Sequence, residues 1–151
     1  MDFGNNTKPS ILVVEDDAAI NDVVRSFLGK AGYACTPAYS GTEARLLMQD
    51  AGAYDLVICD LMLPGMRGED VVSIFREGSD APVIVISAKS DVSSKVDLLR
   101  IGADDYLVKP FDLEELLARV EVQARRASQR SGMGKAPGRT LRFRTWEIDL
   151  D

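Results

Sequence analysis

Histidine is absent from this 151-residue chain. That removes the imidazole base and the commonest metal ligand, so any bound metal must be a hard cation held by oxygen. Only two cysteines occur, Cys35 and Cys59, far apart and without paired spacing. They read as small buried hydrophobes rather than as a disulfide or a metal site. No apolar run is long enough to cross a bilayer. The opening MDFGNNTKPS has no basic region followed by an apolar one, so it is not a secretory signal, and a cytoplasmic location is expected. A Gly-rich phosphate cradle is also missing, so no nucleotide site of that kind is evident.

The net charge of -6 is unevenly spread. Residues 1–127 carry 13 Lys/Arg against 21 Asp/Glu, and residues 128–151 carry 5 against 3. The acidic part has no net attraction for DNA or acidic lipid, and it suits cations and protein partners. A hydrophobic content of 46% and a charged content of 28% fit one globular domain with a tail.

The chain is organised around Leu56-Val57-Ile58-Cys59-Asp60-Leu61-Met62-Leu63-Pro64-Gly65. An apolar run into a carboxylate, then Pro-Gly, reads as a doubly buried strand and the turn that stops it. Residues 1–9 are patternless and are expected to fray. Ile11–Val14 is a first strand, and a helix follows from 17 to about 31 with Ile20, Val23, Val24, Phe27, Leu28 and Ala31 as its apolar stripe. Tyr33–Ala38 is a weaker strand. Ser40 and Glu43 have capping-box spacing and open a helix that runs to Gly52. After the central strand come a helix from about Gly68 to Glu77, a strand Pro82–Ser87, and a thin-striped helix from Ser90 or Asp91 to Gly102. A short strand Asp105–Val108 and a strong amphipathic helix to about residue 127 complete the alternation. Five strands alternating with five helices predict a doubly wound α/β fold with a parallel five-stranded sheet, order 2-1-3-4-5, flavodoxin-like. Residues 128–140 read as a flexible linker. Residues 141–151 contain one partly alternating strand that is not stable alone.

The polar residues that directly follow the apolar runs are Glu15 and Asp16, Asp60, Ser87 and Lys109. In order 2-1-3-4-5 their strands are neighbours, so these groups converge on the carboxyl edge, where open parallel sheets bind ligands. Taken singly, each has a duller role as a cap, a strand terminus or a solvated charge. Together, crowded carboxylates suit Mg²⁺, and a lysine beside them suits an incoming phosphoryl group. An aspartate can then act as the nucleophile and become an aspartyl phosphate.

ILVVEDD, VICDLMLPGMRG, VIVISA and GADDYLVKPF resemble, in order and spacing, the signature blocks of the bacterial response-regulator receiver domain over residues 10–127. DDYLVKPFDLEELLARV resembles the OmpR/PhoB subfamily. The final LRFRTWEIDLD resembles the first strands of that subfamily's winged-helix DNA-binding domain, cut off before any recognition helix. The resemblance implies a phosphorylation-activated receiver of a two-component transcriptional regulator. It implies Asp60 as phosphoacceptor from a sensor histidine kinase. It also implies Mg²⁺ held by Asp16, by Glu15 (through water), by Asp60 and by the Met62 carbonyl. Lys109, before a cis proline, and Ser87 would contact the phosphoryl group, with Tyr106 as the aromatic switch. DNA would be reached only through the missing domain, and no membrane is implicated.

The subfamily pattern further implies a homodimer on phosphorylation, through the fourth helix, fifth strand and fifth helix. The matching pairs are Lys95 with Glu115, Asp105 with Arg119, and Asp104 with Arg126. Arg100 and Glu121 depart from the commoner charge order. If they face each other, the swap keeps attraction within this protein and discourages pairing with relatives. Met62 and Lys89 flank the approach of a hydrolytic water, and an apolar Met orients none, so slow self-dephosphorylation is expected. Three other readings compete. A receiver-like interaction module working without phosphorylation conflicts with the intact acid set, Lys109 and Ser87. An aspartate-nucleophile phosphatase would want an acid where Met62 stands. A flavin domain would want a hydroxyl-rich loop where Glu15-Asp16-Asp17 stands.

Overall fold

The computed structural model describes residues 8–88 and 100–131. Its elements are β1 (Ser10–Val14), α1 (Ala18–Lys30), β2 (Ala34–Ala38), α2 (Gly41–Leu47), β3 (Leu56–Asp60), α3 (Gly68–Gly78), β4 (Val83–Ala88), β5 (Asp105–Lys109) and α4 (Leu113–Ser131). The sheet is parallel throughout, in the order β2-β1-β3-β4-β5. The expected helix from Ser90, the tail from 132 onward and residues 1–7 lie outside the described residues.

Period-two alternation sorts the strands into two cores. Leu12, Val14, Val57, Cys59, Val83 and Val85 face α2 and α3, where Ala44, Val71, Val72 and Phe75 meet them. Ile11, Val13, Ile58, Ile84, Ile86 and Leu107 face α1 and α4, against Val24, Leu28, Leu116, Val120 and Ala124. Because β1, β3 and β4 are covered on both faces, they read as unbroken apolar runs. β2 pairs on one side with β1 and carries Pro37, a residue that an edge strand tolerates.

Three expectations shift. The helix expected to reach Gly52 stops at Leu47, and a 3-10 turn at Ala51–Ala53 follows, in which Ala53 N–H donates to the Asp50 carbonyl. Its cap is offset by one residue: Ser40 Oγ accepts from Glu43 N as expected, but Glu43 Oε1 accepts from Tyr39 N. The last helix continues to Ser131, because Ala127 and Ser128 are still buried, so residues 128–131 belong to the helix rather than to the linker. Among the described residues no helix is long and apolar enough to cross a membrane.

Cys35 lies on β2 and Cys59 on β3, with β1 between them. Two strand spacings, about 9–10 Å, exceed what a disulfide can bridge. Burial pushes the Cys35 thiol up to about 11, against a small pull from Arg25. Burial, and then the carboxylates of Asp60, Glu69 and Glu15, push Cys59 up as well. We expect Ellman's reagent to titrate Cys35 slowly at neutral pH and Cys59 only after denaturant. Two fast thiols in the native protein would contradict this packing.

Candidate functional site

Strand register brings the expected groups together. Val14 lies opposite Cys59, so the next residues, Glu15 and Asp60, are neighbours at the sheet's carboxyl edge. Asp60 lies opposite Ile86, which precedes Ser87, and Lys109 lies opposite Ala88. The Lys109-Pro110 peptide is cis, as the resemblance implied.

Glu15 and Asp60 are each 3% exposed, whereas Asp16 is exposed. One carboxylate oxygen from each of the three lies within 4.8 Å of the others. The Lys109 ammonium donates to Asp60 Oδ2 at 2.5 Å and sits 3.0 Å from Glu15 Oε1. Asp60 Oδ1 accepts from the Met62 N–H at 2.8 Å, and Glu15 Oε2 from the Asp17 N–H at 3.0 Å. Ser87 is fully buried, and its hydroxyl donates to the Ala88 carbonyl at 3.1 Å. Tyr106 is half-buried, packed against the core on the α2 and α3 side.

Burial, above all, raises the Glu15 carboxyl to about 7; the Asp17 N–H and Lys109 oppose this, and the Asp60 charge adds to it. Burial disfavours the Lys109 ammonium, but its hydrogen bond to Asp60 and its ion pairs with Asp60 and Glu15 outweigh that and hold its pKa above the ordinary value. The donor set fits a hard divalent cation. It offers carboxylate oxygens alone, and Glu15 Oε1 is buried without an aligned hydrogen bond.

The loop after β3 is held by close approaches. A Cβ on Gly68 would lie 2.4 Å from the Asp60 carbonyl oxygen, so glycine lets α3 begin directly on the Asp60–Leu61 backbone. Gly65 sits at φ 83° in the turn, against Thr42 of α2. Met62, on this loop, is 63% exposed.

The expected dimer-face residues divide. Asp104, Asp105, Glu115, Arg119 and Arg126 line one groove of about 430 Å³. Within the chain, Arg119 already chelates Asp105 at 2.8 and 3.0 Å and reaches Glu115 at 3.3 Å. Asp104 bonds Arg76 at 2.9 Å. Glu121 stands apart from this cluster: two residues after Arg119 it is rotated about 200° around α4, and its charge acts on Tyr33. Arg100 is exposed at the edge of the described residues, and Lys95 and Lys89 lie outside them.

Sequence reasoning missed Asn21 and Arg76. The inner face of α1 is Asn21, Val24 and Leu28, whereas Val23 is 52% exposed. The available signal was a polar residue at helical spacing from two core positions.

The sequence pattern of the response regulator receiver domain matches residues 11–121. The chain is 43% identical over 140 residues to the uncharacterized transcriptional regulatory protein YcbL of Bacillus subtilis (strain 168), covering 93% of this chain and 62% of that protein. It is 42% identical over 131 residues to the transcriptional regulatory protein ResD of the same organism, covering 87% and 53% respectively. Among solved structures, the receiver domain of the Francisella response regulator 1452 superposes with a TM-score of 0.72 at 33% identity, over 79% of this chain and 98% of that one. The chain thus spans 62% and 53% of the lengths of these two curated relatives. With the strand order, the acidic cluster and its lysine at the expected edge, the chain belongs to the response regulator receiver domain family, and its relatives are transcriptional regulators of the OmpR/PhoB type.

Proposed function

We propose that this domain is a phosphorylation switch that accepts a phosphoryl group on Asp60 from a sensor histidine kinase. The observation that carries the reading is Asp60 itself: a buried strand-end carboxylate sharing Lys109 with Glu15, beside Asp16. Glu15, Asp16, Asp60 and the Met62 carbonyl would hold Mg²⁺, whose charge, when bound, offsets that of the phosphoryl oxygens. Asp60 attacks phosphorus as the bond from phosphorus to the kinase's histidine nitrogen breaks. Lys109 moves its ammonium from carboxylate to phosphoryl oxygen. Ser87 exchanges the Ala88 carbonyl for the same group. The space that Ser87 leaves admits Tyr106, and β5 shifts with it. Phosphorylation replaces the single charge of the Asp60 carboxylate by a bulkier phosphoryl group carrying roughly -1.5 to -2, with three acceptor oxygens, which biases such a two-state element. The groove between β5 and α4 then pairs two copies, Asp105 and Arg119 exchanging their in-chain bond for one across the interface, so that dimerisation governs DNA binding by an effector domain.

Intact-protein mass after incubation with Mg²⁺ and acetyl phosphate tests this. One added phosphoryl group is expected, absent without Mg²⁺ and absent in Asp60→Asn. No added mass on folded protein that binds Mg²⁺ would favour a phosphorylation-independent interaction module. Size-exclusion of the same sample tests the dimer.

The phosphoryl group should also persist. Met62 projects into solvent beside Asp60 and offers a hydrolytic water no hydrogen-bond partner. After removal of the donor, the added mass should decay with a half-life of at least tens of minutes. Decay within seconds would sink this expectation.

A further inference from the structure

A buried asparagine on the inner face of a helix is costly unless its polar atoms are met. Asn21 is fully buried beside Val24 and Leu28. Its amide nitrogen faces three carbonyls: Glu15 at 3.0 Å, Val13 at 3.2 Å and Ala38 at 3.4 Å. Its Oδ1 accepts from Arg25 Nε at 2.7 Å. Three acceptors on one side and a guanidinium on the other fix which end of the amide is nitrogen. Arg25 is itself held by Asp22 at 2.6 Å and the Tyr39 hydroxyl at 3.3 Å.

These contacts converge behind the acidic cluster. The Glu15 N–H donates to the Ala38 carbonyl at 2.9 Å, the same oxygen that Asn21 approaches. Glu15 is therefore tied through both its N–H and its carbonyl, and that carbonyl belongs to the peptide leading into Asp16. Asn21 holds the peptide plane between two of the three carboxylates while bonding to no carboxylate itself.

We propose that Asn21, held by Arg25, is a positioning residue of the acidic pocket: its amide fixes the Glu15–Asp16 peptide and thereby sets the pocket's affinity for a divalent cation. The proposal rests on the reading of the pocket as a Mg²⁺ site. Outer partners that orient metal ligands typically change metal affinity about 10- to 100-fold when lost.

Calorimetric titration of the whole metal-free chain with Mg²⁺ tests it, using wild type, Asn21→Leu, Arg25→Met and the double variant. Leucine keeps the apolar packing of α1 and removes the amide. The Kd should rise about tenfold or more in Asn21→Leu, about threefold in Arg25→Met, and no further in the double variant. The Mg²⁺ concentration giving half-maximal phosphorylation by acetyl phosphate should rise in parallel, while the rate at saturating Mg²⁺ stays within about twofold. A merely loosened core would not produce that split. Equal Kd in wild type and Asn21→Leu overturns the proposal. Should Asn21→Leu fail to fold, Arg25→Met decides: a weaker Kd supports it and an unchanged one overturns it. A flat wild-type isotherm overturns it too, by felling the Mg²⁺ reading rather than the part given to Asn21.

Discussion

Lys109→Met should slow phosphorylation of Asp60 by about a hundredfold or more, the loss typical of removing one donor aimed at developing charge. Methionine keeps the length of the stem, which lies along an apolar groove formed with Ile20, Val24 and Pro110. What it removes is the ammonium shared by Asp60 and Glu15. The loss should persist at saturating acetyl phosphate and Mg²⁺. A rate within threefold of wild type would show that the ammonium does not help the transfer.

The same substitution has a pH signature in the metal-free fold. Glu15 titrates near 7 in the folded chain against an ordinary 4.5, chiefly because it is buried. A carboxyl raised on folding favours its protonated form, so its contribution is most favourable below the unfolded pKa and is lost as pH rises through the folded one. Wild type should therefore lose roughly 2–3 kcal/mol of stability between about pH 5 and pH 8. Without Lys109, the ion pair that partly holds Glu15 ionised is gone. The loss should grow by about 1 kcal/mol more, less than for a fully buried pair because the Lys109 side chain is 28% exposed. Urea melts in EDTA at the two pH values read the difference. A variant whose stability rises with pH in this window would contradict the assignment.

The strand edge was legible because burial on both faces writes β1, β3 and β4 as unbroken apolar runs, and a polar residue after such a run marks where the sheet ends. Glu15, Asp60 and Ser87 were found in that way and Lys109 at the end of the short apolar run of β5, and the register of the sheet places them together. The length of α2 was not legible, since Ala44, Leu47 and Met48 keep helical spacing past the point where the chain turns. Nor was the end of α4, because what continues the helix through residues 128–131 is burial of Ala127 and Ser128, and small or polar residues carry little periodic signal. Asn21 and Arg76 were hidden for a different reason. Each is one polar residue in a helix, and its meaning lies in carbonyls that tertiary packing delivers. Asp104 was placed on an interface because the resemblance put it there, whereas within this chain its carboxylate is bonded by Arg76.

That contact carries the second large effect. Arg76 Nη1 donates to the Ser79 and Ala81 carbonyls at 3.1 and 2.6 Å, and Nη2 to the Gly102 carbonyl and Asp104 Oδ2 at 2.5 and 2.9 Å. Asp104 Oδ2 also accepts from the Val83 N–H at 2.8 Å. One guanidinium thus ties the end of α3 to the start of β4 and the turn into β5. A Cβ on Gly102 would come within 3.0 Å of Arg76 Nε, so the turn is shaped around the side chain. Arg76→Ala should cost about 2–3 kcal/mol, since charge-assisted hydrogen bonds are lost from a side chain 25% exposed, to which water can return. Arg76→Lys should recover less than half, because an ammonium cannot span four acceptors from one planar fork. Arg67→Ala, which removes an exposed 3.5 Å ion pair with Glu69, should stay within about 0.5 kcal/mol and serves as the control. Hydrogen exchange should localise the damage: the Val83 and Asp104 amides, bonded to Asp104 Oδ2 and the Val83 carbonyl, should lose protection before those of β1 and β3. A loss spread evenly over the sheet, or a stability change no larger than that of Arg67→Ala, would show that the chain does not depend on this clamp. The expected outcome leaves β5 anchored at its Asp105 end while its other end carries Lys109, so a shift at Asp60 would turn the strand about that anchor rather than translate it.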